Sequence, residues 1–274
     1  MSTLYLVATP IGNLEDMSLR AIRILSKVSL IAAEDTRRTR RLLSAYRIKA
    51  RLTSYHEHNK KLKLPYLLKC LEHEDVALVS EAGMPGISDP GYELVLAAIE
   101  RNIPVVAIPG PSVLPVALAI SGLPTNEFLY LGFLPRNKNE RKRLLGSISS
   151  EPRTIIAFEA PHRLKESLAD IMEILGDRRL AVCRELTKLH EEVFRGTVSQ
   201  AITHYPHPKG EFTLVIAGFS QRRAHKELTD FFVKEELHRL RYKGVTAKEA
   251  VAKLAKATGL PKKILYKAWL ELSS

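Results

Sequence analysis

The order of its segments predicts an α/β protein: two α/β domains followed by a small helical tail. Three observations carry that expectation. Short apolar runs alternate with helically spaced segments through the first part of the chain, the pattern of a parallel, doubly wound sheet. Beyond a small polar break at Gly122–Asn126, some strand-like segments alternate apolar with polar residues, as antiparallel strands with one wet face do. Residues 222–274 then carry 13 Lys/Arg against 6 Asp/Glu, seven units of the chain's net charge of +12.

Leu4–Ala8 reads as the first strand, and a loop holding Pro10 and Gly12 follows it. Ser18–Lys27 has helical spacing through Leu19, Ile22 and Leu25. Ser29–Ala33 is the next strand and Arg38–Tyr46 the next helix. Val76–Val79, Tyr92–Arg101, Val105–Ile108 and Val113–Ile120 repeat the alternation. These segments define a first domain over 1–122. Strands at Phe128–Phe133, Thr154–Phe158, Leu180–Arg184, Glu192–Gly196 and Phe212–Ala217 define a mixed-sheet domain over 123–221. Pro135–Glu140 and Tyr205–Gly210 read as connecting loops. In the tail, Ala247–Ala257 and Lys262–Leu272 are helically spaced around the breaker Thr258-Gly259-Leu260-Pro261. Such a pair is either a helix-turn-helix or a hairpin that covers a dimer or domain face.

With 274 residues, 45% of them hydrophobic, the chain can bury a full core and is not of the disordered class. Cys70 and Cys183 sit singly in apolar segments. Two isolated cysteines make neither a disulfide framework nor a zinc cluster, so a reducing, cytoplasmic setting is expected. Leu4–Ala8 is too short for a signal peptide, and no run approaches membrane-spanning length. A surface this basic favours polyanions, nucleic acid ahead of anionic lipid.

The most telling stretch is Val76–Gly91. An apolar strand empties into a loop with Gly83, Pro85 and Gly86. The loop ends at Ser88-Asp89-Pro90, where Asp89 is placed to cap a helix and Pro90 to occupy its first turn. Strand, glycine-rich loop and helix start is how α/β proteins hold small ligands at the carboxyl end of a sheet. The loop lacks the Gly-Lys-Ser/Thr ending of a P-loop and the G-x-G-x-x-G of a dinucleotide site. Thr9-Pro10-Ile11-Gly12-Asn13 and Pro109-Gly110-Pro111-Ser112 also follow strands. All three loops are expected to converge on one crevice.

These motifs resemble one family throughout, over about residues 3–220. They are Leu6–Leu14, Ala33-Glu34-Asp35-Thr36-Arg37, His56-Glu57-His58-Asn59, Ser80–Gly91, Pro109–Ser112, Ala160-Pro161-His162-Arg163 and Arg184-Glu185-Leu186-Thr187-Lys188. The family is that of the small-subunit ribosomal RNA methyltransferases I, within the tetrapyrrole methylase superfamily. The resemblance implies two α/β domains of tetrapyrrole-methylase type, with S-adenosylmethionine held in the cleft between them. It implies a homodimer and a substrate in 16S ribosomal RNA, within the small subunit ahead of free RNA. The acceptor it implies is the ribose 2′-hydroxyl of cytidine 1402 in the decoding region. By match to the motifs, Pro10, Glu81, Gly83, Met84, Pro85, Ile87, Ser88 and Ser112 line the donor site, and Phe158, Phe212 and Leu214 complete an adenine pocket. The chain departs from the family's Ser-Asp-Ala-Gly-Thr-Pro-Leu-Ile-Ser-Asp-Pro-Gly at Glu81, Met84 and Gly86.

A ribose hydroxyl is a weak nucleophile until its proton leaves, and a base in reach speeds transfer by about 10²–10⁴-fold. Glu34, Asp35, His56, Glu57 and His58 are the candidates. Two His at i and i+2 with one carboxylate make a poor metal signature, so no metal is expected. Arg37, Arg38, Arg40 and Arg41 form a phosphate-contacting run that Arg163 and Lys188 extend, with Lys262 and Lys263 in the tail. Tyr46 and Tyr55 are candidates to stack a splayed base. Two other functions fit less of the chain: methylation of a small tetrapyrrole, and RNA binding without catalysis.

Overall fold

A computed structural model describes residues 2–220, 233–258 and 260–271. The chain divides into two compact units, residues 1–218 and 219–274.

The first unit holds two five-stranded sheets. In the first, β1 (Leu4–Val7), β2 (Leu30–Ala33), β3 (Arg51–Ser54), β4 (Val76–Val79) and β5 (Val105–Ile108) are all parallel, in the order β3-β2-β4-β1-β5. Every residue of β2 and β4 is buried, which is why these strands read as unbroken apolar runs. Helices α1 (Leu19–Leu25), α2 (Thr36–Ala45), α3 (Lys60–Cys70) and α4 (Tyr92–Glu100) make the crossovers, and α5 (Val113–Ser121) leads from β5 to the second sheet. Two separate apolar clusters cover the sheet's two faces, one around Val7, Ile31 and Val79, the other around Leu4, Ala32 and Leu78.

The second sheet is mixed. It contains β6 (Phe128–Phe133), β7 (Thr154–Glu159), β8 (Arg179–Arg184), β9 (Glu192–Thr197) and β10 (Phe212–Ile216), ordered β6-β7-β10-β8-β9. Only β6 and β7 pair in parallel. Helices α6 (Lys138–Ser147), α7 (Leu164–Leu175) and α8 (Val198–His204) lie on one face. The other face receives α5, whose Ala117 and Leu118 pack with Ile156, Ala181, Cys183 and Val215. The helix that follows the last strand of the first sheet thus packs into the core of the second and links the two sheets.

Several expectations need correction. The chain has an unanticipated strand and helix, β3 and α3. Helix α4 starts at Tyr92 with Gly91 as its cap, so Asp89 does not cap it and Pro90 stands outside it. The segment taken as the loop Pro135–Glu140 already contains the start of α6, capped by the Asn137 side chain, which accepts from the amides of Asn139 and Glu140. Cys70 and Cys183 are free. No helix among the described residues is long and apolar enough to cross a membrane.

The second unit has a helical stretch over 233–242 (α9), then α10 (Ala247–Thr258) and α11 (Lys262–Glu271). Its core comprises Val233, Leu237, Leu240, Ala250, Val251, Leu254, Leu265 and Trp269. The expected pair of helices is present, joined by a third. Gly259, within the expected breaker, and Leu272, the end expected for the last helix, lie outside the described residues.

Candidate functional site

Strands β4, β1 and β5 are neighbours, so the loops at their carboxyl ends emerge side by side. Thr9 and Gly83 exchange two backbone hydrogen bonds, each 2.9 Å, tying the first loop to the second. Gly83 makes that bridge at φ +77°, and glycine alone enters this region without steric cost. Gly110 in the third loop lies so near the first that a Cβ there would stand 3.0 Å from the Ala8 side chain.

The second sheet closes the site from the other side. Strand β10 runs antiparallel between β7 and β8, so its first residues lie beside the last of the other two: Phe212 pairs with Glu159 and with Arg184. Two contacts join the halves at the rim. The Ser88 hydroxyl meets that of Tyr130 at 2.5 Å. Gly12 abuts the loop after β8, where a Cβ would run into the Lys188 side chain and stand 3.0 Å from the Leu186 carbonyl. Ser88 holds φ +66°, a left-handed conformation that costs a non-glycine residue roughly 1–2 kcal/mol and that the Tyr130 contact helps offset.

Between the halves lies a cavity of ≈ 370 Å³. Ile11, Met84, Ile87, Val113, Leu114 and Leu186 give it aliphatic surface, and Phe133, Phe158 and Phe212 aromatic surface. Glu34, Glu81, Asp89, Glu159, Glu185 and Glu211 bring carboxylates to its wall. Three of these are committed to cations. Glu159 binds Arg163 at 2.6 Å, and Glu185 and Glu211 bind Lys188 at 3.1 and 2.9 Å. Glu34 accepts from the Glu81 amide at 3.2 Å, and Glu81 meets Arg38 at 2.5 Å. Asp89 has no cationic partner among the described residues. Burial, the Glu34 charge and the Glu81 charge push Asp89 up to about 7, against an opposing Ser80 hydrogen bond. Burial also raises Glu34, and it pushes the Cys183 thiol up to about 11.

Of the expected donor-site residues, the cavity gathers Glu81, Gly83, Met84, Ile87, Ser88, Ser112, Phe158 and Phe212. Three are placed elsewhere. Pro10 lines a neighbouring cavity. Pro85 is buried beneath its own loop. Leu214 shares the face of Phe212, since residues i and i+2 of a strand point the same way, but it lies further along β10 and is enclosed in the core under α6–α8.

Of the expected bases, only Glu34 reaches the cavity. Asp35 caps α2, accepting from the amides of Arg37 and Arg38, bonds that hold its carboxyl below the usual range. Glu57 pairs with Lys60 at 2.8 Å, and His56 and His58 pack edge to face outside the cavity. Asp89, read from the sequence only as a cap, is the carboxyl the strand-and-loop pattern failed to place.

Arg37, Arg38, Arg40 and Arg41 are exposed on α2, as an anion-binding face requires. Arg163 is not: its side chain is 11% exposed, bound to Glu159 and donating to the Leu134 carbonyl. Tyr55 is fully buried and stacks no base, while Tyr46 donates to the Leu14 carbonyl. Lys262 and Lys263 are exposed in the first turn of α11, where the helix dipole disfavours cations.

Residues 3–202 match the family model for tetrapyrrole (corrin/porphyrin) methylases. The chain is 48% identical to the ribosomal RNA small subunit methyltransferase I of Synechocystis sp., over 100% of this chain and 99% of that protein. It is 47% identical to that of Halalkalibacterium halodurans, over 96% and 93%, and 52% to that of Thermotoga maritima, over 80% and 99%. Among solved structures it resembles a diphthine synthase, with a TM-score of 0.63 at 12% identity over 79% of this chain and 90% of that one. It also resembles a cobalt precorrin-4 methyltransferase, with a TM-score of 0.58 at 17% identity over 78% and 94%. These two establish the shared fold.

Asp89 makes stability depend on pH. Its folded value near 7 stands above the ordinary 3.8, so the contribution of its neutral form is complete below about pH 4 and lost as pH rises through 7. Asp89→Asn, fixed in the neutral state, is expected to raise the melting temperature over the unaltered protein at pH 8 and to leave it nearly unchanged at pH 4. Equal melting differences at both values would refute the assignment.

Proposed function

This chain belongs to the tetrapyrrole methylase family, and from that premise we propose that it moves a methyl group from S-adenosylmethionine to the small-subunit ribosomal RNA. Likeness over nearly the whole chain to proteins named for that reaction carries the reading. The acceptor we propose is a ribose 2′-hydroxyl of a cytidine in the decoding region of 16S RNA.

The cavity fits the donor. Its ≈ 370 Å³ falls in the range of small-molecule sites, about 300–1,000 Å³. Three phenylalanines suit a flat adenine, and uncompensated carboxylates suit a sulfonium cation. S-adenosylmethionine supplies a methyl group already activated by its positive sulfur.

The protein's own residues then have two tasks. The loops after β1, β4 and β5 would hold the donor against the second sheet and so fix where the acceptor hydroxyl must be presented to its methyl group. Such positioning contributes up to roughly 7–11 kcal/mol. The second task is to take the hydroxyl proton, and Glu34 and Asp89 are the cavity carboxylates raised towards a base's working range.

Two further parts belong to the proposal. Tyr92, Leu96 and Ile99 recur along one side of α4 at 68%, 42% and 58% exposure, an apolar stripe that supports a homodimer. The basic helical tail supports RNA holding.

Labelled donor offered with unmodified small subunits, free ribosomal RNA and tetrapyrroles tests the activity. Label is expected on RNA, and label on a tetrapyrrole alone would overturn the reading. Asp89→Asn and Glu34→Gln are each expected to lower kcat about 10²-fold or more, and activity should rise with pH through about 7. Deletion of 222–274 is expected to weaken RNA binding several-fold with donor affinity preserved; loss of donor binding instead would make the tail structural. Leu96→Asp is expected to sediment as a monomer; a dimer of unchanged stability would move the interface elsewhere.

A further inference from the structure

A second cavity, of ≈ 280 Å³, adjoins the first. Pro10, Gly12 and Leu14 from the loop after β1 line it, with Arg38 and Arg41 from α2. Glu81 lines both cavities and is the wall they share. Arg38 and Arg41 stand three residues apart and so present their guanidinium groups on one side of the helix. No described residue pairs with Arg41. Among the described residues the Arg38 guanidinium is paired with Glu81 alone, through side chains 62% and 38% exposed. An ion pair so open to water is weakly held and is readily exchanged for a better anion.

We propose that this cavity is the phosphate subsite of the acceptor strand, where Arg38 gives up Glu81 for a backbone phosphate next to the ribose being methylated. The inference rests on the RNA methyltransferase reading. Its chemical ground is the geometry of a ribose. The 2′-oxygen and the oxygen bearing the 3′-phosphate sit on adjacent carbons, so a hydroxyl presented to the methyl group brings a phosphate within a few bonds of the donor cavity. A phosphate subsite must therefore border that cavity, and this one shares a wall with it. Two planar guanidinium groups match phosphate oxygens in paired hydrogen bonds. Neither the carboxylate-lined first cavity nor the Lys188 ammonium, already held by Glu185 and Glu211, offers such a place.

The exchange also prepares the reaction. The Glu81 amide and the Arg38 guanidinium favour ionised Glu34, whereas the Glu81 charge opposes it. Once Arg38 turns to phosphate, Glu34 and Glu81 face each other with less compensation. The carboxylates then hold a proton more strongly at the moment the acceptor hydroxyl must lose one. The carboxylate of the donor's own amino-acid end is the other anion that two arginines here could bind, and the experiment separates the two.

The test uses the full chain, small-subunit RNA and S-adenosylmethionine. RNA affinity is measured across a salt series, and donor affinity separately by calorimetry. Arg38→Gln and Arg41→Gln are each expected to weaken RNA binding about fivefold and to reduce the slope of log affinity against log salt by about 0.7, with donor affinity unchanged. Glu81→Gln breaks the same ion pair from its other end and should leave RNA binding equal or tighter. The proposal is overturned if Arg38→Gln and Glu81→Gln weaken RNA binding alike, which makes the pair structural. It is overturned equally if Arg38→Gln weakens the donor instead, or if neither arginine variant changes RNA binding. An unaltered protein that binds donor yet labels no RNA overturns the underlying function, a result separate from all of these.

Discussion

Two backbone hydrogen bonds between Thr9 and Gly83 set the geometry on which the cleft depends. They join the loops after β1 and β4 just beyond the last paired residues of those strands. The loops cannot part without breaking both bonds, and neither can leave the end of the sheet, because β1 and β4 are central strands. The third loop is set by contact, with Gly110 against Ala8. From this anchor follow the positions of Ile11, Met84, Ser88 and Ser112 around one space. Helix α5 then carries the constraint across, since it starts at the third loop and its far side is core for the second sheet. The two halves of the cleft are held by apolar packing, with only light polar contact at the rim.

How far this was legible in the sequence depends on how much of each element is buried. β2 and β4 are covered on both faces and announce themselves as apolar runs. β3 is an edge strand in which Thr53 alone is buried while Arg51, Leu52 and Ser54 are exposed or partly covered, so it offers no apolar run to read. α3 contains Pro65 and has no pronounced apolar side, and both features hide a helix. α6 does leave a signal, since Asn137 three residues before Glu140 is a helix start, but it stands among Pro135, Arg136 and Lys138, which read as loop.

The site was legible as loops and illegible as side-chain directions. Glycine and proline after three strands located the cleft because backbone geometry demands those residues there. Nothing in a linear pattern distinguishes Asp89 as a cap from Asp89 as a cavity carboxyl. The difference lies in Gly91, which takes the cap position where a Cβ would crowd Leu78 and Gly86. Arg163 failed for a related reason. A basic residue near a predicted cleft looks free until its partner is known, and Glu159, fully buried four residues earlier, requires a cation. Breaking such a pair from one side costs about 3–5 kcal/mol, which excludes Arg163 from a role that needs it loose.

Charge in this protein is sorted by depth. A chain of net charge +12 lines its cavity with six carboxylates and keeps the α2 arginines at the surface. Three of the six are paired with Arg163 and a shared Lys188, and a fourth with Arg38 through a pair open to solvent. The balance left inside is negative, centred on Glu34 and Asp89. A site for a nucleotide triphosphate would need the opposite arrangement, with its cations inside. On the proposed reading, the small cation enters where the carboxylates are and the polyanion stays where the arginines are. The two meet only at Glu81, the one carboxylate whose counter-ion stands on the outer face. Selection between the two ligands then needs no moving part beyond one arginine side chain.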